Sequence, residues 1–195
     1  MTPSSTSTVS LPSQLFSSPK CRCRERLAIL IPQVNSAMQE KQLDQVVKVT
    51  QKVMVSCQDI VDCTGCQIGC TDLVCIMAVI QQTDTCFEYI EKADLDSAIL
   101  VNFGGHDIPI NDTKLRAMLV INLIQQATMV LDAISAKGQS MLRALCPPTA
   151  LAQGNIGYLE TVIRDFRSVL RRVADTADKT GSIYHRHVEW IQQPN

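Results

Sequence analysis

The stretch SCQDIVDCTGCQIGCTD, Ser56 to Asp72, decides how the chain is read. It joins two strongly apolar segments, Leu43–Val61 and Leu73–Ile90, through a helix-breaking corner that holds Cys57, Cys63, Cys66 and Cys70. Upstream, Leu43, Val46, Val47, Val53, Met54, Cys57, Ile60 and Val61 recur at three- and four-residue spacing, the period of a helix with one buried face. Gln45, Lys48, Gln51, Lys52 and Gln58 fall opposite. Thr64-Gly65 predicts the end of that helix, with Gly65 suited to a left-handed terminal position. Downstream, a second helix is expected from near Gly69–Asp72, capped by Thr71 or Asp72. Its opening LVCIMAVI is apolar all round, so it predicts the most buried helix of the domain. Further along it turns amphipathic, with Phe87 and Ile90 inward and Glu88, Glu91 and Lys92 outward.

Outward from this pair the pattern stays helical. Before it, RERLAILI (Arg24–Ile31) predicts a short helix stopped by Pro32, with Asn35 or Ser36 capping a turn before the chain enters the long helix near Gln42. After it, residues 93–111 form one extended connection whose VNFGGHDIPIND carries turn chemistry, His106 included. A third helix starts at a cap among Asn111, Asp112 and Thr113 and runs to about Ala136 or Leu145. Its stripe is Leu115, Met118, Leu119, Leu123, Ile124, Leu131 and Ile134; Gly138 is a candidate kink, and Pro147-Pro148 the stop. The fourth, from about Asn155 to Ala177, turns Leu159, Val162, Ile163, Phe166, Val169, Leu170 and Val173 inward and sets Glu160 four residues before Arg164. The expected fold is all-α: four long amphipathic helices packed as a bundle, with a short leading helix. Residues 1–20, rich in Ser, Thr and Pro, are expected to be disordered, residues 21–178 to form the helical domain, and residues 179–195 a flexible tail.

Composition agrees. With 195 residues, 46% hydrophobic, 19% charged and only 4% aromatic, the core must be mostly aliphatic, which favours packed helices over a sheet. A net charge of −1 lacks the basic surplus of a domain that grips phosphates, so direct nucleic-acid binding is disfavoured. Residues 1–20 lack the basic start and apolar run of a secretory signal, and no uncharged apolar stretch reaches the length of a membrane span. Nine cysteines in that context read as thiols of a soluble intracellular protein, with no membrane partner.

The cysteines raise one chemical question. Cys21 and Cys23 form a C-x-C pair, and Cys63 and Cys66 a C-x2-C pair. Together they can make a four-sulfur zinc site if the leading helix folds back on the corner. The alternative is that they are small packed side chains, as free cysteine often is. With no histidine and no second C-x2-C in range, packing is the first expectation and zinc the second; Cys57, Cys75 and Cys86 fit packing. His185 and His187, near Trp190, read as a solvated basic patch. Arg164, Arg167, Arg171 and Arg172 are offset by Asp165, Asp175 and Asp178 and read as a solvated face. No G-x-S-x-G, G-x-G-x-x-G or P-loop is present, and no catalytic residue is expected.

Taken in order, CRCRERLAILIPQV, LDQVVKVTQKVMVSCQDIVDCTGC, LVCIMAVIQQTDTCFEYI, VNFGGHDIPINDTKLRAMLVINLIQQATMVLDAI and YLETVIRDFRSVLRRV resemble the C-terminal regulatory region of fungal zinc-cluster transcription factors of the aflatoxin regulatory protein family. The resemblance covers residues 21–170 and implies a nuclear regulator of secondary-metabolite genes, working through a protein partner or self-association. In that family the DNA-contacting zinc cluster is a separate N-terminal module of two C-x2-C-x6-C runs. Counted from Cys63 and Cys66, its third cysteine would fall at Leu73, so the module is missing from this chain and its DNA-contacting residues are not carried over. A truncated product, a fragment and a stand-alone partner of a full-length factor are all compatible with this pattern. Two other readings of the same bundle are a small-molecule sensor with an apolar pocket between Leu73–Ile80 and Leu115–Leu131, and a metal- or redox-responsive switch at the cysteine corner.

Overall fold

The computed structural model describes residues 21–93, 99–145 and 147–181; the expectations for residues 1–20 and for His185, His187 and Trp190 lie outside them. The fold is all-α apart from one β-hairpin: α1 (Cys23–Ala28), α2 (Leu30–Glu40), α3 (Leu43–Val61), α4 (Cys70–Gln81), α5 (Asp84–Lys92), β1 (Ile99–Phe103), β2 (His106–Ile110), α6 (Thr113–Ala144) and α7 (Ala150–Gly181).

The two 32-residue helices form the spine. Only residues 145–149 join them, so α6 and α7 must lie side by side and antiparallel. Arg167 of α7 accordingly meets Asp132 of α6, and Gln139 meets Glu160. Helix α3 packs on α6, and α4 and α5 pack along α7. At the centre Phe87 and Phe166 meet edge to face, 5.7 Å apart at 90°, among buried Val53, Met54, Ile124, Leu131 and Ile134. Leu73, Ile76, Met77, Ile80, Leu123 and Ile124, around which an apolar pocket was envisaged, are buried core side chains. Helix α6 is long and apolar enough to cross a membrane by length and composition; here its stripe is core, packed against α3 and α7.

Several local expectations are corrected. Pro32 does not stop a helix: it sits in the first turn of α2, where its missing N–H has no ladder partner. The break falls four residues earlier, after Ala28, because a proline ring clashes with the carbonyl four residues back. Asn35 and Ser36 lie inside α2, which ends at Lys41 in the left-handed region (φ 52°). The Tyr89 hydroxyl donates to the Lys41 carbonyl at 2.5 Å, holding this strained turn against α5. The end of α3 needs no left-handed glycine, since Asp62 closes it in right-handed geometry and Gly65 is not at positive φ. Val47 is half-buried, and Val49 and Thr50 complete the inward face.

The second helix is two helices. Thr83 turns its hydroxyl back onto the Ile80 carbonyl at 2.6 Å and ends α4, then starts α5 with its own carbonyl. Helix α4 begins at Gly69, and Asp72 reaches back from the third position to accept the Gly69 N–H at 3.0 Å. It is not buried all round, because Cys75 and Ala78 face solvent. The connection contains a hairpin: Gly104 and Gly105, both at positive φ, make a two-residue turn, with Phe103 opposite His106 and Ile99 opposite Ile110.

Asp112 caps α6, accepting from the Lys114 and Leu115 N–H groups. Leu115 and Met118 point outward rather than into the stripe. Gly138 does not divide the helix; a Cβ there would stand 2.9 Å from Ile156 Cδ1, so the glycine lets α7 approach. Helix α7 starts at Ala150, with the Thr149 hydroxyl accepting the Ala152 N–H, and continues to Gly181, into the stretch expected to be tail. Arg172 pairs with Glu91 of α5 at 3.8 Å, and Glu160 with Gln139 rather than as an intrahelical pair with Arg164. The bundle is therefore α3, α6 and α7 with the broken α4–α5 element, led by two short helices instead of one.

Three substitutions test this account by urea unfolding. Phe166→Ala removes a central ring and is expected to cost about 3–5 kcal/mol. Gly138→Ala is expected to be near neutral, because a rotating Ile156 methyl and the gain in helix propensity offset each other, whereas Gly138→Leu overpacks the crossing and costs about 1–3 kcal/mol. Lys41→Gly relieves the left-handed residue and is expected to stabilise by roughly 0.5–1 kcal/mol.

Candidate metal centre

The corner between α3 and α4 is residues 62–69, and α1 lies beside it. Helix α3 ends through short-range bonds: Asp62 N–H to the Gln58 carbonyl and Cys63 N–H to the Ile60 carbonyl at 3.2 Å. The tightened turn brings Cys63 round to face α1, and Gly65 lies against it: a Cβ at Gly65 would make ordinary contact with Cys63 Sγ at 3.8 Å and Cys21 Cβ at 3.9 Å. From the other side, Arg26 of α1 pairs with Asp59 in the last turns of α3 at 3.2 Å. That ion pair is half-exposed and contributes orientation more than stability.

The result is a sulfur cluster. Cys21, Cys23, Cys63 and Cys66 bring their four Sγ atoms within 4.8 Å of one another. Cys21 Sγ lies 2.8 Å from Cys23 Sγ, 2.8 Å from Cys66 Sγ and 3.5 Å from Cys63 Sγ. Cys23 is buried and the other three are half-buried. All four residues named from spacing are thus brought together, although 39 residues separate the second from the third. The contact with Cys23, then that with Cys66, pulls the Cys21 thiol down to about 7. Burial, followed by the contact with Cys21, pushes Cys23 up, and the contact with Cys21, followed by burial, pushes Cys66 up to about 11. These contacts favour the thiolate at Cys21 over Cys23 and Cys66. Four soft donors at this spacing can take a metal ion, and close thiols can also exchange with an oxidant.

The remaining described cysteines stand apart. Cys57 is fully buried in the core, and burial pushes its thiol up to about 12. Cys86 is buried beside Thr50 and Thr85, with its thiol raised by desolvation. Cys70 lies 3.9 Å from Met141 Sδ on α6. Packing describes Cys57 and Cys86 well, but not Cys75, which is exposed. His106 is an exposed residue of β2, next to the Gly-Gly turn, and not at the cluster. The arginines of α7 are cross-helix partners in part, through Arg167–Asp132 and Arg172–Glu91.

Sequence spacing missed a groove of about 250 Å³ between α2 and α3, walled by Gln33, Ser36, Glu40, Gln45, Lys48 and Lys52 with Ala37 and Val49 at its base. Its only signal was the run of polar residues on the outer faces of two successive helices. Alkylation of the native protein followed by mass spectrometry is expected to label Cys75 rapidly and leave Cys57 and Cys86 unmodified until the protein unfolds. Cys57→Ser, which buries a hydroxyl among apolar neighbours, is expected to cost about 1–3 kcal/mol in the same unfolding assay.

No protein-family model, no curated protein and no solved structure matches the chain.

Proposed function

We propose that this chain is a non-catalytic regulatory domain of a fungal transcriptional regulator of secondary-metabolite genes, acting in the nucleus through protein–protein contact. DNA contact belongs to a zinc-cluster module whose cysteine pattern the chain lacks, so the domain reaches DNA only through that module or a partner that carries it. The support begins with the ordered resemblance of residues 21–170 to regulatory regions of the aflatoxin regulatory protein type.

The observation that carries the interaction reading is the outward face of α6. Between Arg116 and Asp132 the helix has no charged residue, in a chain that is 19% charged. Met118 and Met129 stand 44% and 63% exposed there, with exposed Asn122 between them, and Leu115, one residue before this span, is 48% exposed. A solvated helix face is ordinarily laced with charge. An uncharged face bearing methionines suits docking of a partner helix, because the flexible thioether adapts to the surface it meets.

A reporter assay tests this reading. Fused to a heterologous zinc-cluster DNA-binding module, the chain is expected to change reporter transcription severalfold relative to the module alone. Met118→Asp with Met129→Asp is expected to abolish that change while leaving helical content and thermal midpoint unaltered. A fusion indistinguishable from the bare module overturns the proposal.

A further inference from the structure

We propose that Cys21, Cys23, Cys63 and Cys66 form a mononuclear tetrathiolate zinc site that fastens the leading helix α1 to the α3–α4 corner. The inference stands on the geometry of the corner and does not depend on the regulatory reading.

Three explanations compete for four sulfurs in one place, and the distances separate them. Packing is the first. Cysteines that merely fill space in this protein, Cys57 and Cys86, sit singly within the core and are fully buried. The four at the corner instead cluster together at the margin of the core, Cys23 buried and the other three half-buried, and Cys21 makes its close contacts with the other three sulfurs. A disulfide is the second. Its bond length is about 2.05 Å. Here Cys21 is equally close, at 2.8 Å, to Cys23 and Cys66, both beyond bonding distance, so no pair is singled out. A metal ion is the third. Tetrahedral zinc with Zn–S bonds of about 2.3 Å sets its sulfurs roughly 3.8 Å apart. The observed separations, from 2.8 Å to no more than 4.8 Å, lie around that value, so small side-chain rotations reach it.

The donor set selects the metal. Four thiolates with no carboxylate or imidazole suit a soft or borderline ion, and a closed four-coordinate shell is the pattern of a structural zinc site. The sulfurs are too close together to surround a multi-iron cluster, which leaves a single ion. Each ligand pair comes from one short segment, C-x-C at the start of α1 and C-x2-C in the corner, so folding delivers two preformed halves. On binding, Zn²⁺ takes four Zn–S bonds and the remaining thiol protons pass to solvent, leaving a site of net charge −2.

Helix α1 is six residues long, too short to hold its shape alone. The site would give it an anchor that the half-exposed Arg26–Asp59 pair does not provide.

The full chain, purified under reducing conditions, is expected to carry about one zinc per chain by elemental analysis. Replacement by cobalt should give the intense visible bands of tetrahedral tetrathiolate coordination. Cys63→Ser with Cys66→Ser, and separately Cys21→Ser with Cys23→Ser, should each abolish zinc retention, whereas Cys75→Ser should retain it. Bound zinc should also protect these four cysteines from alkylation until a chelator is added. Metal-free protein that fails to take up zinc in a competition titration, or a cobalt spectrum without thiolate charge-transfer bands, overturns the site. Those two measurements use the unsubstituted chain and remain decisive if a serine variant does not fold.

Discussion

The close approach of α6 and α7 is the contact on which the rest of the structure depends. Gly138 removes the side chain that would hold the helices apart, and Ile156 and Leu159 fill the space. With that crossing set, the inward rows of both helices define a floor on which α3 lies from one side and α4–α5 from the other. Phe87 reaches Phe166 because α5 runs alongside α7, an alignment also marked by the Arg172–Glu91 pair, while Tyr158–Gln81 ties the end of α4 to the same helix. The aliphatic composition matters here: many branched side chains interdigitate over a long seam, and Phe87 and Phe166 are the only rings among its largest fully buried described side chains.

Legibility in the sequence followed the range of the forces involved. Long amphipathic stretches are readable because burial repeats every turn, so the existence and inward rows of α3, α6 and α7 are legible, although α7 extends beyond the expected Asn155–Ala177 at both ends. Breaks governed by one side chain are not. Thr83 ends a helix by bonding backward to Ile80 within the polar run QQTDT, a stretch that an amphipathic continuation of the same helix accommodates equally well. Pro32 was read as a stop because its steric effect acts four residues upstream, at Ala28, rather than at its own position. The hairpin did carry a signal: two glycines between Ile99–Phe103 and His106–Ile110 are a two-residue turn between strand-length segments. Turn chemistry alone was given weight there, and the flanking residues were not.

The sulfur cluster lies between these extremes. Spacing names the four residues but sets packing ahead of metal, since no histidine and no second C-x2-C lies in range and the two pairs meet only if the leading helix folds back on the corner. It folds back because α2 ends in the left-handed Lys41 and reverses onto α3, putting the start of α1 beside the end of α3. No local pattern encodes that reversal as ligand geometry. A turn more than twenty residues from the corner thus determines which cysteines become neighbours.

The order of elements along the chain has a consequence for synthesis. Helix α7, which covers the apolar stripe of α6, is the last described element to be made. At about 5–20 residues per second, the 36 residues from Cys146 to Gly181 take roughly 2–7 s to add. Throughout that interval the inner row of α6 lacks its principal cover, while α1 to α5 are already complete in the chain. The nascent protein therefore passes through a period of exposed hydrophobic surface, during which chaperone capture and premature self-association compete with the arrival of α7.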